Sequence, residues 1–165
     1  MMRRFAPLLA LSLTACGLHP LYAGGTSGPV AVTLRTVQVA PIEGQVGWLV
    51  RNKLVDRLGE SGTATPQYRL DVRLDDNITG YGIRGDRAVT RERRTLRARY
   101  QLVNLSNGTT VLDATAGSDA GIDVVSSEYA TVAAEQSAAE HLADGVADQI
   151  VARLGIYAAR TVPRP

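Results

Sequence analysis

The 165-residue chain has little cysteine and little histidine, and these shortages exclude several kinds of site. Its single cysteine, Cys16, cannot form an internal disulfide or assemble a cysteine metal site. Its two histidines, His19 and His141, have no carboxylate or second histidine at metal-ligand spacing. We therefore expect neither a metal nor a cofactor.

The chain also lacks a recognisable catalytic set. It has no Ser-His-Asp arrangement, no metal-ligand cluster and no pair of carboxylates in an apolar setting. Gly80, Gly82 and Gly85 have the spacing of a dinucleotide-binding loop. The segments on both sides of them, however, are typical of strands, so the helix N-terminus that would hold a pyrophosphate is missing. We expect a protein that is not an enzyme.

Excess charge of one sign is absent once the N-terminus is set aside. The formal net charge is +2, but Arg3 and Arg4 lie in a segment that we expect to be removed. Without them 16 basic residues face 16 acidic residues. A neutral protein of this kind is not expected to bind nucleic acid through its overall charge.

No apolar run is long enough for a transmembrane helix, but a short one near the N-terminus is typical of an export signal. Phe5 to Leu13 is about half of the roughly 20 residues that a membrane-spanning helix needs. Two arginines precede it and small residues follow it, which is the order of a secretory signal. We therefore predict a signal peptide over residues 1–15.

The segment Leu13-Thr14-Ala15-Cys16 resembles the bacterial lipobox. In such a motif the cysteine thiol accepts diacylglycerol, and cleavage frees the amine for a further acyl chain such as palmitate. Two or more chains give durable membrane attachment, because each buried CH₂ contributes about 0.8 kcal/mol. Gly17 replaces the aspartate that favours inner-membrane retention. The pattern predicts lipidation of Cys16 and a position on the periplasmic side of the outer membrane.

Residues 16–29 are predicted to form the lipidated N-terminus and a tether, because they are rich in glycine and carry no charge. Pro20, Leu21 and Tyr22 are unusual in a tether. Their apolar and aromatic side chains predict a contact with a partner.

Periodicity predicts a single domain over residues 30–156. Val30 to Ala40 is rich in β-branched residues and is predicted to be the first strand. Between Gln45 and Gly59 apolar residues recur every four positions, which predicts a helix that Gly59 ends. Residues 67–78 and 91–103 alternate between apolar and polar side chains, as half-buried strands do.

The C-terminal part is predicted to be a hairpin followed by a helix. Asn107-Gly108 favours a two-residue type I′ turn between the third and fourth strands. Ser126 or Ser127 can begin a long helix through Leu154, with Gly155 at its end and a flexible tail over residues 157–165. The order β-α-β-β-β-α predicts an α+β fold, a two-layer sandwich with both helices on one face of a four-stranded sheet.

Arginines are concentrated on and near the third strand. Seven of them fall within sixteen residues that hold only two acids: Arg84, Arg87, Arg91, Arg93, Arg94, Arg97 and Arg99. One interpretation is a solvated strand face on which Arg97 or Arg99 pairs with Asp71 or Asp75. The other is anion binding, because guanidinium groups bind phosphate through two hydrogen bonds. The candidates for phosphate binding are Arg84, Arg87, Arg91, Arg93 and Arg94.

Several of these segments together resemble the LPS-assembly lipoprotein LptE family. The most specific is Cys16-Gly17 followed by Pro20, Leu21 and Tyr22, and the Asn107-Gly108 hairpin and the alanine-rich C-terminal helix add to it. The resemblance implies a lipoprotein that plugs the LptD outer-membrane β-barrel, helps it to assemble, and contacts lipopolysaccharide on its way to the cell surface. A polar barrel lumen can hold such a domain.

Two other functions are compatible with a small α+β domain behind a lipobox. An accessory lipoprotein of an ABC-type lipid transport system would have inner-membrane or periplasmic partners. A lipid-anchored hydrolase of envelope material would need a nucleophile and a base, for which the sequence offers no arrangement.

Overall fold

The fold is a four-stranded mixed sheet with helices packed on one face, as the sequence predicts. The structure is a computed structural model, and it describes residues 27–59, 64–83 and 89–161. Its elements in chain order are α1 (Pro29–Leu34), β1 (Val37–Val39), α2 (Gly44–Leu58), β2 (Tyr68–Ile83), β3 (Val89–Asn104), β4 (Thr110–Asp123) and α3 (Glu128–Thr161). The strands lie in the order β1-β2-β3-β4, with β1 parallel to β2 and the other pairs antiparallel.

The predicted first strand is wrong in its N-terminal half. Residues 29–34 form α1, and only Val37–Val39 pair with β2. Pro29 suits the first turn of a helix, where its missing N–H costs nothing. Val30 and Leu34, four residues apart, are both buried on the same side of α1. Burial of these two side chains outweighs the β preference of the segment.

The core lies between the sheet and the helices. Leu96, Ala98, Tyr100 and Leu102 of β3 are almost completely buried, which confirms the predicted inward face of that strand. α3 contributes a long stripe of buried residues, many of them alanine, that packs on β3 and β4 and against α2. Leu54 and Val50 of α2 are fully buried beneath it. Gly59 ends α2 in the left-handed conformation (φ 67°), as predicted.

The predicted hairpin between β3 and β4 is present, but its turn is longer than two residues. The N–H of Asn104 donates to the carbonyl of Thr109 at 2.9 Å, so four residues lie between them. Gly108 adopts a positive φ of 71°, and its N–H donates to the Asn104 carbonyl. The hairpin therefore uses Gly108 as predicted, while the type I′ turn was wrong.

The last helix does not end at Gly155 as predicted. Gly155 is buried within α3, which continues to Thr161 and begins after Ser127, whose Oγ accepts the N–H of Ala130 at 3.4 Å. Tyr157 packs edge-to-face on Tyr68, with ring centroids 6.2 Å apart. These contacts extend the helix into the predicted tail; residues 162–165 lie outside the described part.

Candidate functional site: the arginine face

The sheet surface opposite the helices is covered with charged side chains. Alternate residues of β2, β3 and β4 share it, and the register places Arg73 opposite Arg99, and Asp75 opposite Arg97. We call this surface the arginine face. Its arginines are Arg69, Arg73, Arg91, Arg93, Arg97 and Arg99.

Four of these arginines are paired with aspartates. Arg97 Nη2 lies 3.2 Å from Asp119 Oδ1, and Arg99 Nη2 lies 2.9 Å from Asp113 Oδ2. Arg69 and Arg91 pair with Asp71 and Asp123, each at 2.9 Å. The cross-strand ion pairs of Arg97 and Arg99 therefore exist, but they are formed with β4 and not with Asp71 or Asp75 of β2.

The hydrogen bonds to Asp113 and Asp119 of β4 lower the pKa of both carboxyl groups, although both lie at the surface. Hydrogen bonds from Arg99 and Gln101 hold the pKa of Asp113 below its ordinary value. A hydrogen bond from the Thr95 hydroxyl, with another from Arg97, does the same for the pKa of Asp119. These carboxylates remain ionised at neutral pH and neutralise the guanidinium groups beside them.

Arg73 and Arg93 are different, because neither has a carboxylate within ion-pair distance among the residues that the structure describes. Arg93 lies over the ring of Tyr81, 5.7 Å from its centroid. Arg73 faces Arg99, whose own partner is Asp113. Like charges opposite each other on a sheet repel, so this place favours an anion.

An open groove of about 690 Å³ runs across the same surface. Its walls include Arg73, Arg97 and Arg99, together with the carboxylates Asp75 and Asp119. Gly117 forms part of the floor; a Cβ there would lie 2.6 Å from Cδ of Arg97, so glycine makes room for that side chain. Gln149 of α3 reaches the sheet edge and exchanges two hydrogen bonds with the Gly117 backbone, at 3.2 and 3.0 Å. Phosphate or carboxylate groups could enter this groove and accept hydrogen bonds from guanidinium donors.

The candidates for phosphate binding named from the sequence are not gathered in one place. Arg91 and Arg93 lie on the arginine face, and Arg91 has an acid opposite it that sequence reasoning did not anticipate. Arg94 points to the helix side, where it forms a two-fold ion pair with Asp76 (2.6 and 2.9 Å) and donates to the Glu135 carbonyl at 2.8 Å. Arg84, Arg87, Cys16, Pro20, Leu21 and Tyr22 lie outside the described residues.

Sequence reasoning missed Arg73 as a candidate. Its position on the outer face followed from the alternation of β2, but the identity of its cross-strand neighbour did not. Only the register shows that Arg73 meets an arginine and not an acid.

Neither a metal centre nor a membrane-spanning helix is found in the described ranges 27–59, 64–83 and 89–161. No three His, Cys, Asp or Glu side chains there come together in a way that could hold a metal ion. No helix in those ranges combines the length and the apolar character needed to cross a bilayer.

Comparison with known proteins gives both a sequence match and structural neighbours. A sequence model described as LptE, lipopolysaccharide-assembly, matches residues 34–154. No curated protein matches the chain by sequence.

Among solved structures, a candidate lipoprotein of Caulobacter crescentus CB15 is 25% identical, with a TM-score of 0.69 over 83% of this chain and 100% of that one. Rare lipoprotein B of Shewanella oneidensis is 9% identical, with a TM-score of 0.58 over 75% of this chain and 95% of that one. A minor lipoprotein of Acinetobacter baumannii is 13% identical, with a TM-score of 0.55 over 74% and 92%. The last two likenesses concern the fold alone.

Proposed function

Because the chain belongs to the LptE lipopolysaccharide-assembly family, we propose that it is an outer-membrane lipoprotein that assembles with and plugs the LptD β-barrel. In this role it takes part in the transport of lipopolysaccharide to the cell surface and does not act as an enzyme. Cys16 carries the lipid, and the domain lies on the periplasmic side of the membrane. Pro20, Leu21 and Tyr22 contact the partner next to this anchor.

The observation that carries the lipopolysaccharide part of the proposal is the arginine face. Lipopolysaccharide presents phosphates, and guanidinium groups are suited to them because they stay charged and offer two parallel donors. Arg73 and Arg93 have no neutralising carboxylate within ion-pair distance among the described residues. We assign the phosphate contact first to these two. Arg91, whose ion pair with Asp123 is exposed to solvent, comes next, with Arg84 and Arg87 near it in sequence.

Arg94 has a different place in the proposal. Its side chain is only 13% exposed, and its donors are used by Asp76 and by the α3 backbone. Substitution of Arg94 would therefore weaken lipopolysaccharide contact indirectly, through the position of α3, and not through loss of a phosphate ligand.

Site-specific photocrosslinking in cells tests the proposal. A photoreactive residue is placed in turn at Arg73, Arg91 and Arg93, and at Arg160 near the end of α3 as a control outside the arginine face. We expect lipopolysaccharide adducts from the first three positions and none from Arg160. Adducts to the barrel alone from all three would contradict direct binding and turn the arginine face into a docking surface.

Identification of the partner protein tests the proposed association with the LptD barrel. Mild detergent extraction should recover the chain together with the LptD barrel, and depletion should reduce surface lipopolysaccharide. Recovery with inner-membrane transport proteins in place of a barrel would instead support the accessory lipoprotein of an ABC-type system.

A further inference from the structure

A second groove lies on the helix side of the sheet, and it is lined by both exposed apolar and polar side chains. It measures about 500 Å³ and is formed by the N-terminal part of α2, the middle of β2 and the first half of α3. Three of the side chains that line it are large, apolar and well exposed: Trp48 (62%), Val132 (55%) and Ile78 (40%). Tyr129, which is 85% exposed, lies one helical turn before Val132.

These side chains are not needed to complete the core. The buried residues of α2 are Gly47, Val50, Leu54 and Leu58, and Trp48 lies off that stripe. Trp48 is also the only tryptophan in the sequence. A cluster of exposed aromatic and aliphatic side chains around a groove is typical of a protein-interaction site, in which tryptophan and tyrosine often supply most of the binding energy.

The charges around the groove select among possible occupants. Glu135 and Glu140 of α3 line it, and Arg94 is its one basic side chain among the described residues. Arg94 is already neutralised by Asp76. The groove therefore combines exposed apolar side chains with a net negative charge, which repels phosphate headgroups and attracts a cationic side chain.

We propose that this groove binds a polypeptide segment of a partner protein that presents an aliphatic or aromatic side chain next to an arginine or lysine. The apolar side chain packs between Trp48, Ile78 and Val132, and the cation lies near Glu135 and Glu140. The groove is on the opposite side of the sheet from the arginine face, so this inference stands whether or not that face binds lipopolysaccharide. The two surfaces then have opposite electrostatic preferences.

The fluorescence of Trp48 provides a direct measurement, because no other tryptophan contributes. The purified chain in liposomes of neutral phosphatidylcholine, which add no tryptophan, is titrated with short peptides that alternate leucine with arginine, glutamine or glutamate. We expect a saturable shift of the emission to shorter wavelength with the arginine peptide. The glutamate peptide should bind on the order of tenfold more weakly, because like charges would be brought together.

Two variants test whether the groove itself is responsible. Glu135→Lys combined with Glu140→Lys should reverse the preference, so that the glutamate peptide binds more tightly than the arginine peptide. Val132→Lys should weaken the arginine peptide about tenfold or more. Leu105→Lys is its matched control, because Leu105 is also apolar and exposed (42%) but lies in the β3–β4 turn, and it should leave binding unchanged.

Three results would overturn the proposal. One is equal affinity for the three peptides, which would remove the electrostatic selection. Another is a preference that survives the Glu135→Lys, Glu140→Lys double variant. The third is a larger Trp48 shift with vesicles of anionic phospholipid than with any peptide, which would make the groove a lipid site.

Discussion

Gly47 and Gly145 both lie in the interior of helices, yet their surroundings differ. A Cβ added at Gly47 would lie 2.8 Å from the carbonyl oxygen of Ile42 and 2.9 Å from its Cγ2. A Cβ added at Gly145 would meet Ser118 at 3.4 Å and 3.7 Å, which is ordinary contact. Gly47 is thus required by the close approach of α2 to the backbone before it, and Gly145 is not.

Substitution of these two glycines by alanine should change stability in opposite directions. Gly47→Ala should lower the free energy of unfolding by about 1–2 kcal/mol, because overpacking against a backbone exceeds the gain in helix propensity. Gly145→Ala should raise it by about 0.5–1 kcal/mol, because the propensity gain is not opposed. Denaturant unfolding followed by circular dichroism measures both, and a shift of the same sign in the two variants would contradict the packing described here.

At the scale of the elements, α2 and α3 are joined by ion pairs as well as by apolar contacts. Arg57 of α2 lies 3.0 Å from Asp144 and 2.6 Å from Asp148 of α3. Lys53 adds a contact with Asp144 at 3.1 Å. The hydrogen bond from Arg57, with support from Lys53, holds the pKa of Asp144 below its ordinary value.

The lowered pKa of Asp144 predicts how the contact between these helices depends on pH. In the unfolded chain the carboxyl has a pKa near 3.9. A carboxyl whose pKa is lower in the folded state stabilises that state fully above the unfolded value, and this contribution is lost as the pH falls through the folded value. Asp144→Asn should therefore cost less than about 1 kcal/mol at pH 7, because the side chain is more than a third exposed and screened by solvent.

Thermal unfolding of the wild type and of Asp144→Asn across the pH range checks this. The difference in Tm should be constant from pH 7 to about pH 5 and should shrink below about pH 4. A matched substitution, Asp56→Asn, removes a carboxylate from the exposed side of α2 and should not show this pattern. A difference that persists unchanged at pH 2 would show that Asp144 acts through something other than its charge.

At the scale of the whole molecule, the sheet separates two surfaces of different chemistry. On the arginine face four arginines are paired with aspartates, whereas Arg73 and Arg93 have no carboxylate within ion-pair distance among the described residues. The helix side carries the second groove, where Trp48 and other exposed apolar side chains lie beside Glu135 and Glu140. Because the two surfaces lie on opposite sides of the sheet, an anionic ligand on one and a protein partner on the other would not compete.

The predicted lipid anchor belongs to this scale too. We expect a chain with Cys16→Ala, exported behind a cleavable non-lipoprotein signal, to be recovered in the soluble periplasmic fraction, because no acyl chain holds it. Its circular dichroism and Tm should match those of the lipidated chain, since the core is formed by residues from Val30 onward. Retention in the membrane fraction at high salt would mean that Cys16 is not the attachment point.

Some features of the fold follow from short-range patterns alone. The alternation in β2 and β3 identifies which side chains face the core, because successive residues of a strand point to opposite sides of a sheet. The four-residue spacing of apolar residues in α2 identifies the helix, because it places them in one stripe. The position of Gly59 identifies its end, because glycine readily adopts the left-handed conformation that ends a helix. These geometric requirements are local, so the sequence of one segment is enough to recognise them.

Other features depend on neighbours that are distant in the sequence. Val30 has a strong β preference, yet it lies in the helix α1, where it is buried together with Leu34. Gly155 does not end α3, since the contact between Tyr157 and Tyr68 stabilises the helix beyond Gly155. Packing energy decides these cases against local propensity.

The site shows the same division. The sequence by itself determined that arginines are concentrated on β3, that Arg91 and Arg93 share one face, and that a lipobox-like motif precedes the domain. Only the tertiary structure decided that Arg97 and Arg99 are neutralised by β4, that Arg94 supports α3, and that Arg73 meets Arg99. The reason is that charge pairing depends on strand order and register, which are set by how the whole sheet packs beneath its helices.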